Sequence, residues 1–172
     1  MKKYASYIIM FSIIIGGLVI DLVTKSVFAG ALEYGDKVIV LIPNFLEFVY
    51  VENDGAAYGM MGGYTWLLVA LTIAFIIGFA LYFAFSKDKK NVWFTVAVAL
   101  IISGAIGNLI DRLVFNFVRD FISIELFSFV FNFADMFITF GVICYIIYTI
   151  LQITKEAKEK KEKDKTNETN NK

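Results

Sequence analysis

The chain has no histidine, one cysteine and one proline among its 172 residues. Without histidine there is no Ser/His/Asp triad, no Cys/His pair and no histidine-ligated zinc site. The lone Cys144 lies in an apolar run, so no disulfide can close within the chain. Net charge is missing too, since 16 Lys and Arg match 16 Asp and Glu. Balanced charge gives no sign of a nucleic-acid partner, and the uneven placement of the charges becomes the informative feature. Seven of the 16 bases fall from Lys155 onward.

Apolar residues are in excess. Hydrophobic content is 59% and mean hydropathy +0.70, against roughly 45 to 50% apolar residues in soluble domains. A bilayer core about 30 Å thick needs roughly 20 apolar residues at about 1.5 Å rise each. Four runs are long enough. The first spans Tyr4 to Ile20 and continues through Asp21 to Lys25, the second Thr65 to Phe85, the third Val92 to Ile110, and the fourth Phe133 to Ile153. The expected fold is an all-α integral membrane protein of four transmembrane helices.

Orientation follows from Lys and Arg near the helix ends. Lys2 and Lys3 precede the first helix, Lys87, Lys89 and Lys90 join the second to the third, and the lysine-rich tail follows the fourth. The loop from Ser26 to Tyr64 has only Lys37, and the loop from Leu113 to Asn132 only Arg119. Both termini are therefore expected in the cytoplasm, with two loops facing outward. A cleavable leader is the competing reading of the N-terminus, with Ala29-Gly30-Ala31 as the cleavage site. The apolar stretch exceeds the usual ~7 to 15 residues, and Asp21 and Lys25 intervene, which argues against it.

Within the first outer loop, KVIVLI and FLEFVYV read as strands joined across Pro43-Asn44. A small extracytoplasmic β-sheet is expected there, within about residues 26–64, lying at the membrane surface. The following NDGAAYGMMGG supplies glycine where backbone must turn or approach a ligand. Residues 1–154 are expected to form the membrane domain. Residues 155–172 should form a charged cytoplasmic tail, helical at first and disordered after about Lys165, with weak contact to anionic lipid possible. No internal repeat is evident, which weakens a transporter built from duplicated halves.

Charged groups near a membrane core cost at least ~2.5 to 3.5 kcal/mol each, so each is a functional candidate. Here Asp21 and Lys25, Asn108, Asp111 and Arg112, and Asn132 and Asp135 all fall at the outward ends of their helices, and Asp120 lies in the second outer loop. Each has a structural alternative. Asp21 and Lys25 at i,i+4 can be a local ion pair, and the i, i+3, i+4 stripe of Asn108, Asp111 and Arg112 can join helices, with Gly104 and Gly107 permitting close approach. Asn132 can cap the fourth helix, where the dipole favours Asp135 in the first turn. Asp120 and Asp135 have no partner of opposite sign at helical spacing. Arg119 adjoins Asp120, but neighbours in an extended segment point to opposite sides. Two close carboxyls share a proton, so one can act as base on water while the other protonates a carbonyl oxygen.

DLVTK at 21–25, NDGAAYG at 53–59, GAIGNLIDR at 104–112, VRDF at 118–121 and FNFAD at 131–135 resemble, in order and spacing, the motifs of the prolipoprotein (type II) signal peptidases. The resemblance covers nearly the whole chain before its tail. It implies an aspartic endopeptidase of the bacterial cytoplasmic membrane, active near the outer face. Its substrates would be diacylglyceryl-modified prolipoproteins, cut just before the lipidated cysteine. Asp120 and Asp135 fall on the family's catalytic positions. Asp21, Lys25, Asn53, Gly55, Asn108, Asp111, Arg112 and Asn132 fall on positions that shape the site or bind substrate. Leu22 stands where Gln is common, Ser103 where Gly is common, and Tyr58 where Phe is frequent. No metal or other cofactor is implied, membrane lipid is the expected surrounding partner, and the expected state is a monomer. A proton-coupled carrier or channel is the alternative, because converging Asp and Asn among helices also describe ion pathways. A non-enzymatic assembly factor is a third reading. Both are weakened because the carboxylates collect at one interface and do not extend across the membrane, and a second helix with no ionisable residue except tyrosine argues against a continuous relay.

Overall fold

The computed structural model describes residues 4–32, 38–55, 65–127 and 129–170. Lys37 at the start of the first expected strand, Tyr58 and the glycine-rich stretch beyond Gly55, and the last two tail residues lie outside the described residues. Four helices are long and apolar enough to cross a membrane. They are α1 (Ala5–Ala31), α2 (Thr65–Phe85), α3 (Val92–Phe115) and α4 (Phe133–Asn170).

Helix α3 is the centre of the bundle and packs against the other three. Its buried positions run from Phe94 to Asp111. By contrast α2 leaves Trp66, Leu71, Ile77, Leu81 and Phe85 exposed, and such an apolar surface is stable against lipid, not water. Away from the sheet, Met10, Ile14, Phe83, Phe94, Val98, Ile102 and Tyr148 form a buried core.

Local chemistry sets the helix ends. Asn91 caps α3, its side-chain oxygen accepting from Trp93 N–H at 2.9 Å and Phe94 N–H at 3.4 Å. At the other end Asn116 takes a left-handed conformation, φ 66°, which Asn tolerates better than most residues. Its N–H returns to the Arg112 carbonyl at 3.1 Å. α1 continues to Ala31 and α3 to Phe115, beyond the expected ends at Lys25 and Ile110, with Lys25 paired to Asp21 and Asp111, and Asp111 paired to Arg119. α4 runs on past Ile153 and Lys165 to Asn170. Its exposed Lys155–Glu159 pair, 3.9 Å apart, adds little stability in water.

Four antiparallel strands form one sheet in the order β1-β2-β3-β4, comprising Ile39–Ile42, Leu46–Asn53, Val118–Ile124 and Val130–Phe131. The sheet extends beyond the expected first loop, since β3 and β4 come from the connection between α3 and α4. In register, Val51 faces Asp120 and Asn53 faces Val118. Phe28 of α1 anchors the sheet to the bundle, its ring 4.4 Å from Phe121 and 4.6 Å from Phe48. The N-terminal part of β3, Val118 to Ile122, is buried throughout, so both of its faces are covered.

Candidate active site

At the sheet end of the bundle, the ten residues singled out from sequence come together. Asp21 and Lys25 are fully buried on α1 and pair at 2.8 Å. Asp21 uses its other oxygen to accept the Ala134 N–H at 2.9 Å, which places an anion at the N-terminus of α4, where the helix dipole favours it. Gly107 permits this approach, because a β-carbon there would collide with the Asp21 carboxylate. At Gly104 a β-carbon would strike the Ala134 carbonyl oxygen, so that glycine serves the α3–α4 contact.

Asp111, also on α3, is held by Arg119. The Arg119 Nη2 donates to Oδ1 at 2.7 Å, Nε reaches Oδ2 at 3.2 Å, and the Arg119 backbone N–H adds a bond of 3.0 Å. Lys25 Nζ lies 3.5 Å from the same carboxylate. The Arg119 guanidinium also covers the Phe115 ring at 4.6 Å. Asp21, Lys25, Asp111 and Arg119 thus form a buried network with equal numbers of anions and cations. Arg119 is the member that sequence reasoning missed as a structural partner. The alternation of VRDF does place it on the face opposite Asp120, but its partner lies eight residues back across the turn at Asn116.

Asp120 and Asp135 stand outside that network and line a cavity of about 170 Å³ together with Asn53, Asn108 and Arg112 and the apolar Val118 and Phe131. Their oxygens are met by neutral amides. Asp120 Oδ1 accepts from Asn132 Nδ2 at 2.5 Å and Oδ2 from Asn53 Nδ2 at 2.9 Å. Asp135 Oδ1 accepts from Asn108 Nδ2 at 2.7 Å and Oδ2 from the Asn132 N–H at 3.3 Å. Asn132 returns the last bond, its Oδ1 accepting the Asp135 N–H at 3.0 Å. That reciprocal pair is a capping box with Asp in the place of Glu. Capping and a place in the cavity therefore coexist in the same residue.

Asp120 is 2% exposed. Burial, and then the charge of Asp135, push its carboxyl up to about 7, although the bonds from Asn53 and Asn132 oppose the rise. Desolvation disfavours the charged form and a neighbouring anion adds to the effect. A carboxyl there can hold a proton near neutral pH. Arg112 makes contact with the Asn108 carbonyl at 3.4 Å and the Gly55 carbonyl at 3.3 Å, which brings β2's end and the guanidinium to one wall of the cavity. Among the described residues, no buried side-chain polar atom lacks a partner.

A family model for Signal peptidase (SPase) II matches residues 13–151, a span that contains all ten site residues. The lipoprotein signal peptidase of Staphylococcus haemolyticus is 38% identical over 150 residues, covering 86% of this chain and 94% of that protein. The lipoprotein signal peptidase of Streptococcus pyogenes serotype M6 is 39% identical over 107 residues, covering 62% of this chain and 70% of that protein. A bacterial membrane enzyme solved by the in meso method at 2.3 Å resolution superposes with a TM-score of 0.79 at 33% identity, covering 85% of this chain and 90% of its own. With the family model matching well over half of the residues, the chain belongs to the signal peptidase II family.

Proposed function

We propose that this multi-pass bacterial membrane peptidase removes the signal peptide from diacylglyceryl-modified prolipoproteins, cutting just before the lipidated cysteine, with Asp120 and Asp135 as its catalytic pair. The observation that carries the reading is the shared cavity in which two carboxylates take their hydrogen bonds from side-chain amide and backbone donors, one of them able to hold a proton near neutral pH. Such a pair provides both halves of acid–base hydrolysis.

In the forward step Asp135 takes a proton from water while the oxygen attacks the scissile carbonyl carbon. Asp120 gives its proton to the carbonyl oxygen, leaving a tetrahedral diol. Asp135 then passes its proton to the departing amide nitrogen, the C–N bond breaks, and Asp120 recovers a proton from the diol as the carboxyl product forms. Asp120 suits the acid role because it is deeply buried and bonded to neutral amides. Asp135 suits the base role because it sits in the first turn of α4, where the dipole favours an anion. Arg112 completes the charge balance of the cavity, matching a pair that carries one negative charge when one proton is shared.

The substrate's chemistry agrees with the setting. A signal peptide is an apolar segment, and two apolar grooves flank the cavity. One lies along Phe129, Phe131 and Phe140 of the β4–α4 side and the other between Phe75 of α2 and Ile138 of α4. The lysine distribution supports cytoplasmic termini and an outward-facing sheet end.

The decisive test incubates purified protein in detergent with a lipidated precursor. A shortened product that disappears in Asp120→Asn and Asp135→Asn supports the proposal. Proton flux into liposomes without any cleavage would support a carrier instead.

A further inference from the structure

Three asparagines deliver amide donors to the aspartate pair, and the orientation of each is fixed at its other end by a group that can only donate. Asn53 Oδ1 accepts the Gly55 N–H at 3.1 Å, so its Nδ2 must face Asp120. Asn132 Oδ1 accepts the Asp135 N–H at 3.0 Å, so its Nδ2 must face Asp120 and Asn108. Those two are fixed by backbone. Asn108 differs, because its Oδ1 accepts from the Lys25 ammonium at 2.9 Å and from Asn132 Nδ2 at 3.2 Å, leaving Nδ2 to donate to Asp135 at 2.7 Å.

An ammonium has three donors and no acceptor. Turning the Asn108 amide over would set its NH2 against Lys25 and its oxygen against the Asp135 carboxylate. Both new contacts would be repulsive, so the α1 ammonium, the nearer and the only charged of the two donors on Asn108 Oδ1, helps to fix which atom α3 presents to α4. We infer that Lys25 is a positioning residue for the aspartate pair: through Asn108 it holds a donor on Asp135 and so keeps that carboxylate available as the proton acceptor. The inference rests on the aspartate reading above and adds to it a residue that touches neither carboxylate of the pair.

The charged groups around this link are Asp21 from α1, Asp111 and Arg112 from α3, Arg119 and Asp120 from β3, and Asp135 itself from α4. Removing Lys25 leaves Asp21 with the Ala134 N–H at 2.9 Å and Asp111 with Arg119 at 2.7 Å. Two variants therefore test the role. Lys25→Met removes the ammonium alone. Asp21→Asn combined with Lys25→Met removes it while keeping the net charge, and the amide oxygen introduced at position 21 can still accept the Ala134 N–H, which protects the fold.

Cleavage of a lipidated precursor by each folded variant is followed as kcat and KM, beside the unaltered enzyme and Asp135→Asn. Without the lock, kcat per folded molecule should fall about tenfold or more in both variants with KM little changed, a part of the usual worth of a well-placed acid–base group. If Asp135→Asn is inactive and both Lys25 variants keep the unaltered kcat per folded molecule, or lose cleavage through KM alone, Lys25 is structural only and the inference is overturned. If Asp135→Asn remains active, the aspartate reading itself fails and the inference goes with it.

Discussion

Four buried charges and two cavity carboxylates lie side by side at the sheet end, and they are treated in opposite ways. Asp21 and Asp111 are each matched with a cation, at 2.8 Å from Lys25 and 2.7 Å from Arg119. Asp120 and Asp135 take their hydrogen bonds from Asn53, Asn108 and Asn132, donors without charge. An opposite charge beside a carboxylate favours its ionised form, whereas burial and the neighbouring anion at Asp120 favour the protonated one. The first region ties α1, α3 and β3 together. The second keeps its carboxyls oriented through donors that carry no charge.

The largest effect that could break this contrast is on turnover. Asp120→Asn and Asp135→Asn should each lower kcat by about 10² to 10⁴, the usual worth of acid–base help, and the double variant should be little worse than either single one because the two act as a unit. Single-turnover cleavage of a lipidated precursor measures this. Losses that simply multiply would show two independent groups.

Next in size is a stability effect in the other region. Arg119→Met leaves buried Asp111 with the backbone N–H of position 119 at 3.0 Å and Lys25 at 3.5 Å but without the guanidinium, and removing one partner of a buried pair typically costs about 3 to 5 kcal/mol. Thermal unfolding in detergent should show it. Unchanged stability with lost turnover would move Arg119 from support into the chemistry.

A smaller and sharper effect concerns pH. Because the Asp120 carboxyl is pushed up to about 7, its proton is retained below that pH and lost above it. kcat/KM should therefore decline as pH rises through about 7, and also at low pH once both carboxyls are protonated. The resulting bell belongs to the pair. An alkaline limb far above 7 would place the acid elsewhere.

The smallest expected change is at Asn53. Its Nδ2 stabilises ionised Asp120 at 2.9 Å, so Asn53→Ala should raise the Asp120 carboxyl further and move the alkaline limb up by about half a pH unit to one unit. A limb that moves down would mean that Asn53 favours the protonated form.

Much of this arrangement was legible from the sequence. The four spans follow from run length alone, and Asp21 with Lys25 was readable as an i,i+4 pair. Helix ends were misplaced where charge interrupted an apolar run. Lys25 and Asp111 marked the expected ends, yet α1 and α3 continue past them, Lys25 bonded to Asn108 of α3 and Asp111 to Arg119 of β3. β3 was hidden for a related reason. Alternation marks a strand with one wet face, but Val118, Arg119, Asp120 and Phe121 are all buried, so VRDFISI has no polar face to alternate with. The capping bond between Asn132 and Asp135 was visible as spacing. The bonds from Asn108 to Asp135 and from Asn53 to Asp120 join residues 27 and 67 positions apart, which no local pattern can show. The family motifs placed these residues in one site without saying what each one bonds.

The contrast between the two regions is tested most directly by three variants of nearly equal shape, Asp120→Asn, Asp135→Asn and Asp111→Asn, each measured for thermal stability and for cleavage per folded molecule of one lipidated precursor. The account predicts that the first two remain folded and yield no shortened product, whereas Asp111→Asn loses stability but its folded fraction still cleaves. Near-normal cleavage by either cavity variant, together with an inactive but stable Asp111→Asn, would contradict it.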